Sequence, residues 1–247
     1  MSDNSPERKE SPERKDSPER TENMSETTLV KSITRNSLSL GLFAVLTVGL
    51  IASTYVFTKE RIADQVRAFE ARALMEILPR ETHDNTLLDT RVTLAPERLL
   101  SNTEEKDAFV AFKEGQPVAV ILPVVAPDGY SGRIELLVGI NVNGSLAGVR
   151  AVTHKETPGL GDKISLKVTD WILGFTGKSL QTPKPEGWAV RKDGGQFDQF
   201  AGATITPRAV VAAVYRSLQY FADNRDVLFT KGKAAMNSGN KEQDNGQ

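Results

Sequence analysis

An uncharged apolar run near the N-terminus constrains this chain more than any other feature of its sequence. No residue between Asn36 and Thr58 is charged, and residues 38–57 are mainly Leu, Val, Ile, Ala and Phe. A helix rises about 1.5 Å per residue, so roughly 20 apolar residues cross the hydrocarbon core of a bilayer. A cleaved signal peptide would have an apolar region of only about 7–15 residues. The run therefore predicts one transmembrane helix over residues 36–58, in contact with the lipid bilayer.

The sequence before this run predicts a disordered, charged tail over residues 1–35. Ser-Pro-Glu-Arg begins at residues 5, 11 and 17, in a stretch that has no large apolar side chain. Such a stretch buries too little surface to offset its ordering entropy. Lys31 and Arg35 before the run are nearly balanced by Lys59 and Arg61 after it. The further basic residues of the tail add positive charge on the N-terminal side of the span, which favours a cytoplasmic N-terminus.

The absence of cysteine limits the redox chemistry that this chain can carry. With no cysteine among 247 residues, disulfides and thiolate-bound iron–sulfur clusters are excluded. Any redox role must come from a cofactor held by oxygen, nitrogen or backbone groups. The net charge of −1 gives no global reason to expect a nucleic-acid partner, and we expect none.

The remaining sequence predicts an α+β domain over residues 80–230. Apolar residues at three- and four-residue steps indicate a juxtamembrane helix over residues 59–79 that packs against this domain. A final helix is predicted to begin near Pro207, and residues 231–247 are predicted to be a second disordered tail. Between the helices, alternating apolar residues and turn signals such as Asn143-Gly144 indicate antiparallel strands. The predicted strands are residues 108–113, 117–125, 133–142 and 145–153.

One stretch of this domain, residues 198–208 (DQFAGATITPR), has two threonines at the start of the final helix. Proline is favoured in the first turn of a helix, and threonine is a good N-cap, so Thr206 before Pro207 is predicted to be the cap. Thr204 has no such structural explanation. It follows the small residues Gly202 and Ala203 and precedes the positive end of a helix, where a phosphate is favoured.

A second stretch, residues 154–162 (HKETPGLGD), follows the predicted hairpin directly. Pro158-Gly159 fits the centre of a type II turn, and Gly161 allows a second tight bend. Such a loop can bring backbone amides against a flat ligand. It can also be a plain connection in which His154 satisfies a hydrogen bond at the strand end. A single histidine without further ligands at metal spacing does not predict a metal site.

These stretches, taken together, resemble a known family. The matching pieces are Gly-Tyr-Ser-Gly at 129–132, Leu-Val-Gly-Ile at 137–140, His-Lys-Glu-Thr-Pro-Gly-Leu-Gly at 154–161 and Gly-Ala-Thr-Ile-Thr at 202–206. In this order after one membrane span, they resemble the G subunit of Rnf-type electron transport complexes. That protein belongs to the FMN-binding domain family, which is shared with the C subunit of the sodium-translocating NADH:quinone reductase. The resemblance extends from the apolar run to about residue 229.

The resemblance implies a covalently bound flavin. In the family, the phosphate of FMN is joined to the last threonine of a Ser/Thr-Gly-Ala-Thr motif, and Thr204 corresponds to that threonine. Asp198 corresponds to the aspartate that opens the motif. A flavin transferase that uses FAD and a divalent metal makes the bond in the family. This chain departs from the motif at Ala201, where serine or threonine is usual.

The resemblance also implies the surroundings of the cofactor and the cellular role. The residues implied to bind FMN, besides Gly202 and Ala203, are His154, Glu156, Thr157, Gly159, Leu160 and Gly161. The implied protein is a single-pass component of the inner membrane with a periplasmic C-terminal domain. It relays electrons, with other subunits, in a complex that couples ferredoxin–NAD redox chemistry to ion translocation. The alternatives are the C subunit of the quinone reductase and a membrane-anchored scaffold module with a vestigial flavin site.

Overall fold

The structure, a computed structural model, describes residues 19–244, which divide into two compact units. The first unit ends at Ala63 and consists, where described, of part of a long helix, α1 (Glu19–Ile77). The second unit begins at Asp64 and contains the end of α1, a five-stranded sheet and a long C-terminal helix, α2 (Ile205–Asp244). Residues 1–18 and 245–247, the outer parts of the two predicted tails, lie outside the described residues.

Helix α1 contains a segment, Lys31–Lys59, that is long and apolar enough to span a membrane. This segment includes the predicted span, and its large apolar side chains are exposed, Phe57 by 81%. The hydroxyls of Ser39, Thr47 and Thr54 donate to the carbonyl four residues earlier at 2.9, 2.7 and 2.8 Å. These polar groups, like the helical backbone, are satisfied within the helix, as a hydrocarbon environment requires.

Helices extend into both stretches for which the sequence predicts tails. Residues 19–35 form the first part of α1, and residues 231–244 continue α2. Extending a helix that has already formed avoids the costly nucleation step, so polar residues can be helical without a core of their own. The end of α2 is also held by packing, because a Cβ on Gly232 would lie 2.6 Å from Cγ2 of Val110. The predicted juxtamembrane helix is continuous with the apolar segment and ends at Ile77.

The centre of the second unit is an antiparallel sheet whose five strands are adjacent in chain order. Four strands match the sequence prediction. The first strand was not predicted, because alternation over only four residues is too short to stand out. Glu114 and Gly115 both have positive φ, 53° and 73°, as a tight hairpin turn requires. The strands are β1 (Arg91–Leu94), β2 (Lys106–Lys113), β3 (Gln116–Gly129), β4 (Gly132–Asn141) and β5 (Leu146–Thr153).

The two faces of the sheet are covered by different helices. Strand residues alternate between faces, so Val120 and Leu122 of β3 pack with Val214 of α2 on one side. On the other side Ile121 packs with Ile77 in the last turn of α1. The expected α+β architecture, with antiparallel strands and flanking helices, is confirmed.

Short 3-10 turns occupy the connections around the sheet. They precede β1 and also form much of the long connection between β5 and α2. Their bounds are Arg80–Thr82, Leu87–Asp89, Gly161–Ile164, Asp170–Phe175, Pro185–Gly187 and Arg191–Asp193. This connection brings the candidate site residues to the start of α2.

The end of α1 is held closely against the sheet by one arginine and one glycine. Arg150 of β5 donates from Nε to Oε2 of Glu76 at 2.9 Å and from Nη2 to the carbonyl of Glu76 at 3.1 Å. Beside this contact, a Cβ on Gly139 would lie only 2.2 Å from Cγ2 of Ile77. The absence of a side chain at Gly139 therefore sets how closely the helix approaches the strands.

Replacing Gly139 with alanine is expected to lower the free energy of unfolding by about 1–3 kcal/mol, because the added methyl group overpacks this contact. Gly148 provides a matched control on the neighbouring strand. A Cβ there would lie 3.7 Å from the nearest atoms of Arg150 and Ile77, which is ordinary van der Waals contact. Gly148→Ala should be neutral or slightly stabilising in denaturant unfolding. Equal destabilisation by the two substitutions would contradict this account of Gly139.

Candidate functional site

The two stretches singled out from the sequence are adjacent in the structure. The loop of residues 154–161 leaves the end of β5, and residues 198–204 lead into α2. A Cβ placed on Gly202 would lie 3.5 Å from Cδ2 of Leu160. Thr206 donates a hydrogen bond from Oγ1 to Oε2 of Glu156. Residues up to 50 positions apart in the sequence therefore form one local site.

The loop contains the predicted type II turn. Gly159 has φ of +78°, and the Leu160 N–H donates to the carbonyl of Thr157 at 3.1 Å. Thr157 is partly exposed, and the side chain of Leu160 is 41% exposed. The second tight bend predicted at Gly161 is a 3-10 turn that begins at this residue. Gly161 is required for close approach, because a Cβ on it would lie 2.8 Å from both Oε2 of Glu156 and Oγ1 of Thr206.

Glu156 joins three segments of the site through one buried carboxylate. The residue is 4% exposed. Its Oε1 accepts a hydrogen bond from the Ser131 N–H at 2.9 Å, and its Oε2 accepts from Thr206. The turn between β3 and β4, the 154–161 loop and the first turn of α2 are thereby tied together. Gly129 completes the packing, since a Cβ there would lie 3.0 Å from Oε1 of Glu156.

Sequence reasoning missed these partners of Glu156. The Gly-Tyr-Ser-Gly piece carries part of the family resemblance, but no individual role was predicted for Ser131 or Gly129. The signal was the single acidic residue of the 154–161 loop, placed directly before its turn-forming Thr-Pro-Gly. A buried carboxylate requires hydrogen-bond donors, and here the nearby helix start also favours its negative charge.

The prediction that Thr206 is the N-cap was wrong. Helix α2 begins at Ile205, and the carbonyl of Thr204 accepts the N–H of Arg208 at 3.4 Å, so Thr204 occupies the N-cap position. Thr206 lies inside the first turn and is fully buried. Pro207 fits there because N–H groups in the first turn have no intrahelical acceptor. Thr204 itself is partly exposed.

Two ion pairs lie on the surface beside the segment that leads to Thr204. Oδ1 of Asp198 is 2.9 Å from Nη1 of Arg191, and both side chains are more than half exposed. Arg208 donates to both carboxylate oxygens of Asp193 at 2.5 and 2.6 Å. These hydrogen bonds hold the pKa of Asp193 below its ordinary value and raise the pKa of Arg208. Exposed pairs of this kind contribute little to stability, so Asp198 can exchange its partner at small cost.

Two polar atoms near the loop are buried but lack a hydrogen-bond partner among the described residues. They are Nδ1 of His154 and Oδ1 of Asp162. A buried polar atom without a partner costs free energy, and therefore marks a place where a polar ligand or water belongs. The described residues contain no group of three or more His, Asp or Glu side chains arranged to hold a metal ion. An exposed leucine next to the segment that leads into a helix start suits a flat ligand that carries a phosphate.

A comparison with protein families identifies the class of the domain that carries this site. Residues 129–219 match the model of the FMN-binding domain, and they include both stretches and the Ser131 turn. The fold and site therefore define an FMN-binding domain. Residues 24–77, which include the apolar segment, match the RnfG N-terminal region.

Curated relatives extend this assignment to most of the chain. The G subunit of the ion-translocating oxidoreductase complex of Pseudomonas aeruginosa strain UCBPP-PA14 is 54% identical over 205 residues, covering 83% of this chain and 96% of the relative. The G subunit from Shewanella loihica is 48% identical over 81% of this chain and 95% of the relative. The Vibrio cholerae O395 protein of the same description is 44% identical over 81% of this chain and 95% of the relative. The chain belongs to the RnfG family, and the resemblance inferred from its motifs is confirmed.

Proposed function

We propose that this chain carries FMN covalently, through a phosphoester between the FMN phosphate and Oγ1 of Thr204. The observation that carries the proposal is the contrast between the two threonines. Thr204 is partly exposed at the N-cap of α2, whereas Thr206 is fully buried and donates its hydroxyl to Glu156. The unpaired N–H groups and positive end of α2 favour a phosphate at Thr204. Of the two threonines, Thr204 alone combines access with this electrostatic environment.

The same proposal assigns the surroundings of the flavin. The ring lies against the loop wall formed by Thr157, Gly159, Leu160 and Gly161, next to Gly202 and Ala203. His154 offers its unpaired Nδ1 to a polar edge of the ligand, and Glu156 holds the loop in place. The cofactor itself supplies the electron-transfer chemistry. The protein's contribution is to hold the ring and shield it from water.

The proposed maturation step requires an accessible acceptor hydroxyl. A flavin transferase would move the FMN half of FAD to Oγ1 of Thr204, releasing AMP and the hydroxyl proton. The side chain of Asp198, which is exposed and paired only with Arg191 at the surface, is free to contact that enzyme. Ala201 is exposed in the preceding turn, so its missing hydroxyl leaves the local packing unchanged.

The proposed setting is a complex in the inner membrane. Lys31–Lys59 is the membrane anchor, the C-terminal domain is periplasmic, and other subunits exchange electrons with the flavin. The relatives are described as the G subunit of an ion-translocating oxidoreductase complex, which supports this setting. We propose that the complex couples ferredoxin–NAD redox chemistry to ion translocation. The match to the RnfG N-terminal region favours this function over that of the quinone-reductase component.

The covalent flavin is tested by peptide mapping of the protein purified from its own membranes. Trypsin cleaves after Lys192 and Arg208, so residues 193–208 form one peptide that contains both threonines. Fragmentation should place an added mass of FMN less one water on Thr204. The denatured protein should also fluoresce on a gel under ultraviolet light. A dark band with an unmodified intact mass would support a scaffold module with a vestigial site instead.

A further inference from the structure

A cluster of aromatic rings lies behind the segment that leads to Thr204. Trp171 is 5.1 Å from Phe200 and 5.3 Å from Phe175 between ring centroids, both in edge-on geometry. Phe175 stacks on Phe197 at 4.6 Å, and Phe197 lies 5.2 Å from Trp188. These five residues are called the aromatic cluster below. It links the connection after β5 to the residues that precede α2.

Trp171 differs from the rest of the aromatic cluster in its accessibility. Phe175, Trp188, Phe197 and Phe200 are 0–7% exposed, whereas Trp171 is partly exposed. Indole is a large apolar group, and leaving part of it in water has a cost that a ligand can remove. Packing of the domain core therefore does not account for the whole surface of Trp171.

Trp171 is also hydrogen-bonded to the segment that ends at Thr204 and, through Thr169, to the residue that follows the second stretch. Its Nε1–H donates to the carbonyl of Asp198 at 2.9 Å, in the segment that ends at Thr204. Its backbone N–H donates to Oγ1 of Thr169 at 3.3 Å, and that hydroxyl donates to the carbonyl of Lys163 at 2.7 Å. Lys163 lies just after the 154–161 loop. The indole is thus held by its hydrogen bond to the Asp198 carbonyl, and the Trp171 backbone by its bond to Thr169.

The chemistry of the ring suits the proposed ligand. Isoalloxazine is flat, electron-poor and largely apolar, and indole is an electron-rich aromatic surface that pairs favourably with such a ring. Phe200, which contacts Trp171, lies four residues before Thr204, and Leu160 contacts the same segment at Gly202. An aliphatic side chain and an aromatic side chain therefore both border the segment that carries the acceptor threonine.

We propose that Trp171 forms an aromatic side of the flavin site and contacts the isoalloxazine ring. This inference rests on the proposed function, because it places Trp171 against the FMN that Thr204 carries. Trp171 acts there as a binding residue, which positions the ring and takes no part in proton transfer. Its hydrogen bond to Asp198 couples the position of the ring to the segment that bears the cofactor.

Flavin fluorescence in the native, full-length protein tests the contact. An indole in contact with an excited flavin gives it an electron, which then returns, and this quenches the emission. The chain has only two tryptophans, Trp171 and Trp188, and both belong to the aromatic cluster. Trp171→Phe should raise the native emission per bound flavin several-fold. Trp188→Phe, a matched control on a buried ring with no contact to Asp198 or Phe200 within the described part of the chain, should leave it nearly unchanged.

The amount of flavin is measured separately, by the emission of each denatured protein. If Trp171→Phe lowers flavin content, Trp171→Leu, whose aliphatic side chain is not an electron donor, replaces it in the comparison. Native emission that stays at the wild-type level in the Trp171 variants, or rises equally in Trp188→Phe, would overturn the proposed contact while leaving the flavin on Thr204. Wild-type protein without flavin would instead overturn the proposed function, and the contact with it.

Discussion

Thr204→Val is expected to eliminate covalent flavin completely, because valine has nearly the shape of threonine but no hydroxyl to form the phosphoester. The intact mass should equal that of the unmodified chain, and the denatured band should be dark under ultraviolet light. Since Thr204 occupies the N-cap of α2, the substitution also costs stability, but only about 1 kcal/mol. A folded, flavin-free protein is therefore the expected product.

Thr206→Val is the matched control, two residues away in the same turn. It should retain flavin, since Thr206 is fully buried. It should also lower the free energy of unfolding by about 1–3 kcal/mol, because Oε2 of Glu156 loses its donor. Flavin that persists in Thr204→Val and disappears in Thr206→Val would reverse the assignment of the attachment site.

Glu156→Ala should be the most destabilising substitution in the site, lowering the free energy of unfolding by about 2–5 kcal/mol. The change leaves the Ser131 N–H and the Thr206 hydroxyl without their acceptor and opens a cavity between three segments. Denaturant unfolding of the flavin-free Thr204→Val background measures this cost without a contribution from bound cofactor.

Glu156→Gln separates the hydrogen bonds of this residue from its charge. Glutamine keeps an oxygen for the Ser131 N–H, and its amide group can donate to Oγ1 of Thr206, which can accept as well as donate. The glutamine variant should therefore retain most of the stability that the alanine variant loses. Equal losses in the two variants would show that the negative charge, rather than the connection of the three segments, stabilises the site.

Much of the fold was predictable because its signals are local. Alternation and turn residues located β2 to β5 to within a few positions, and the Asn143-Gly144 turn fixed one hairpin. Strand β1 was not predicted, because Arg91–Leu94 is too short for its alternation of apolar and polar residues to be distinctive. The extent of the two long helices did not follow from composition, because composition says nothing of a neighbouring helix that residues 19–35 and 231–244 can extend.

The site was predictable only in part, because its connections are not local. The turn at Pro158-Gly159 follows from residue type, and the family resemblance singled out Thr204. The role of Thr206 was misjudged and the close packing at Gly161 was missed, since both depend on Glu156, which reaches these residues only in the folded chain. Trp171 gave no sequence signal, because its contact with the 198–204 segment joins residues 27 positions apart.

The carboxylate at the centre of the site has an evolutionary consequence. Glu156, Gly161 and Thr206 share one small volume, so a change at any of them alters which residues the others can be. A methyl group at 161 requires a change at both 156 and 206, because it would approach both side chains too closely, and a shorter side chain at 156 no longer reaches residue 206. The changes in the free energy of unfolding caused by substitutions at these three positions are therefore not additive. Among natural relatives, the residues at these three positions should therefore be conserved together or substituted together.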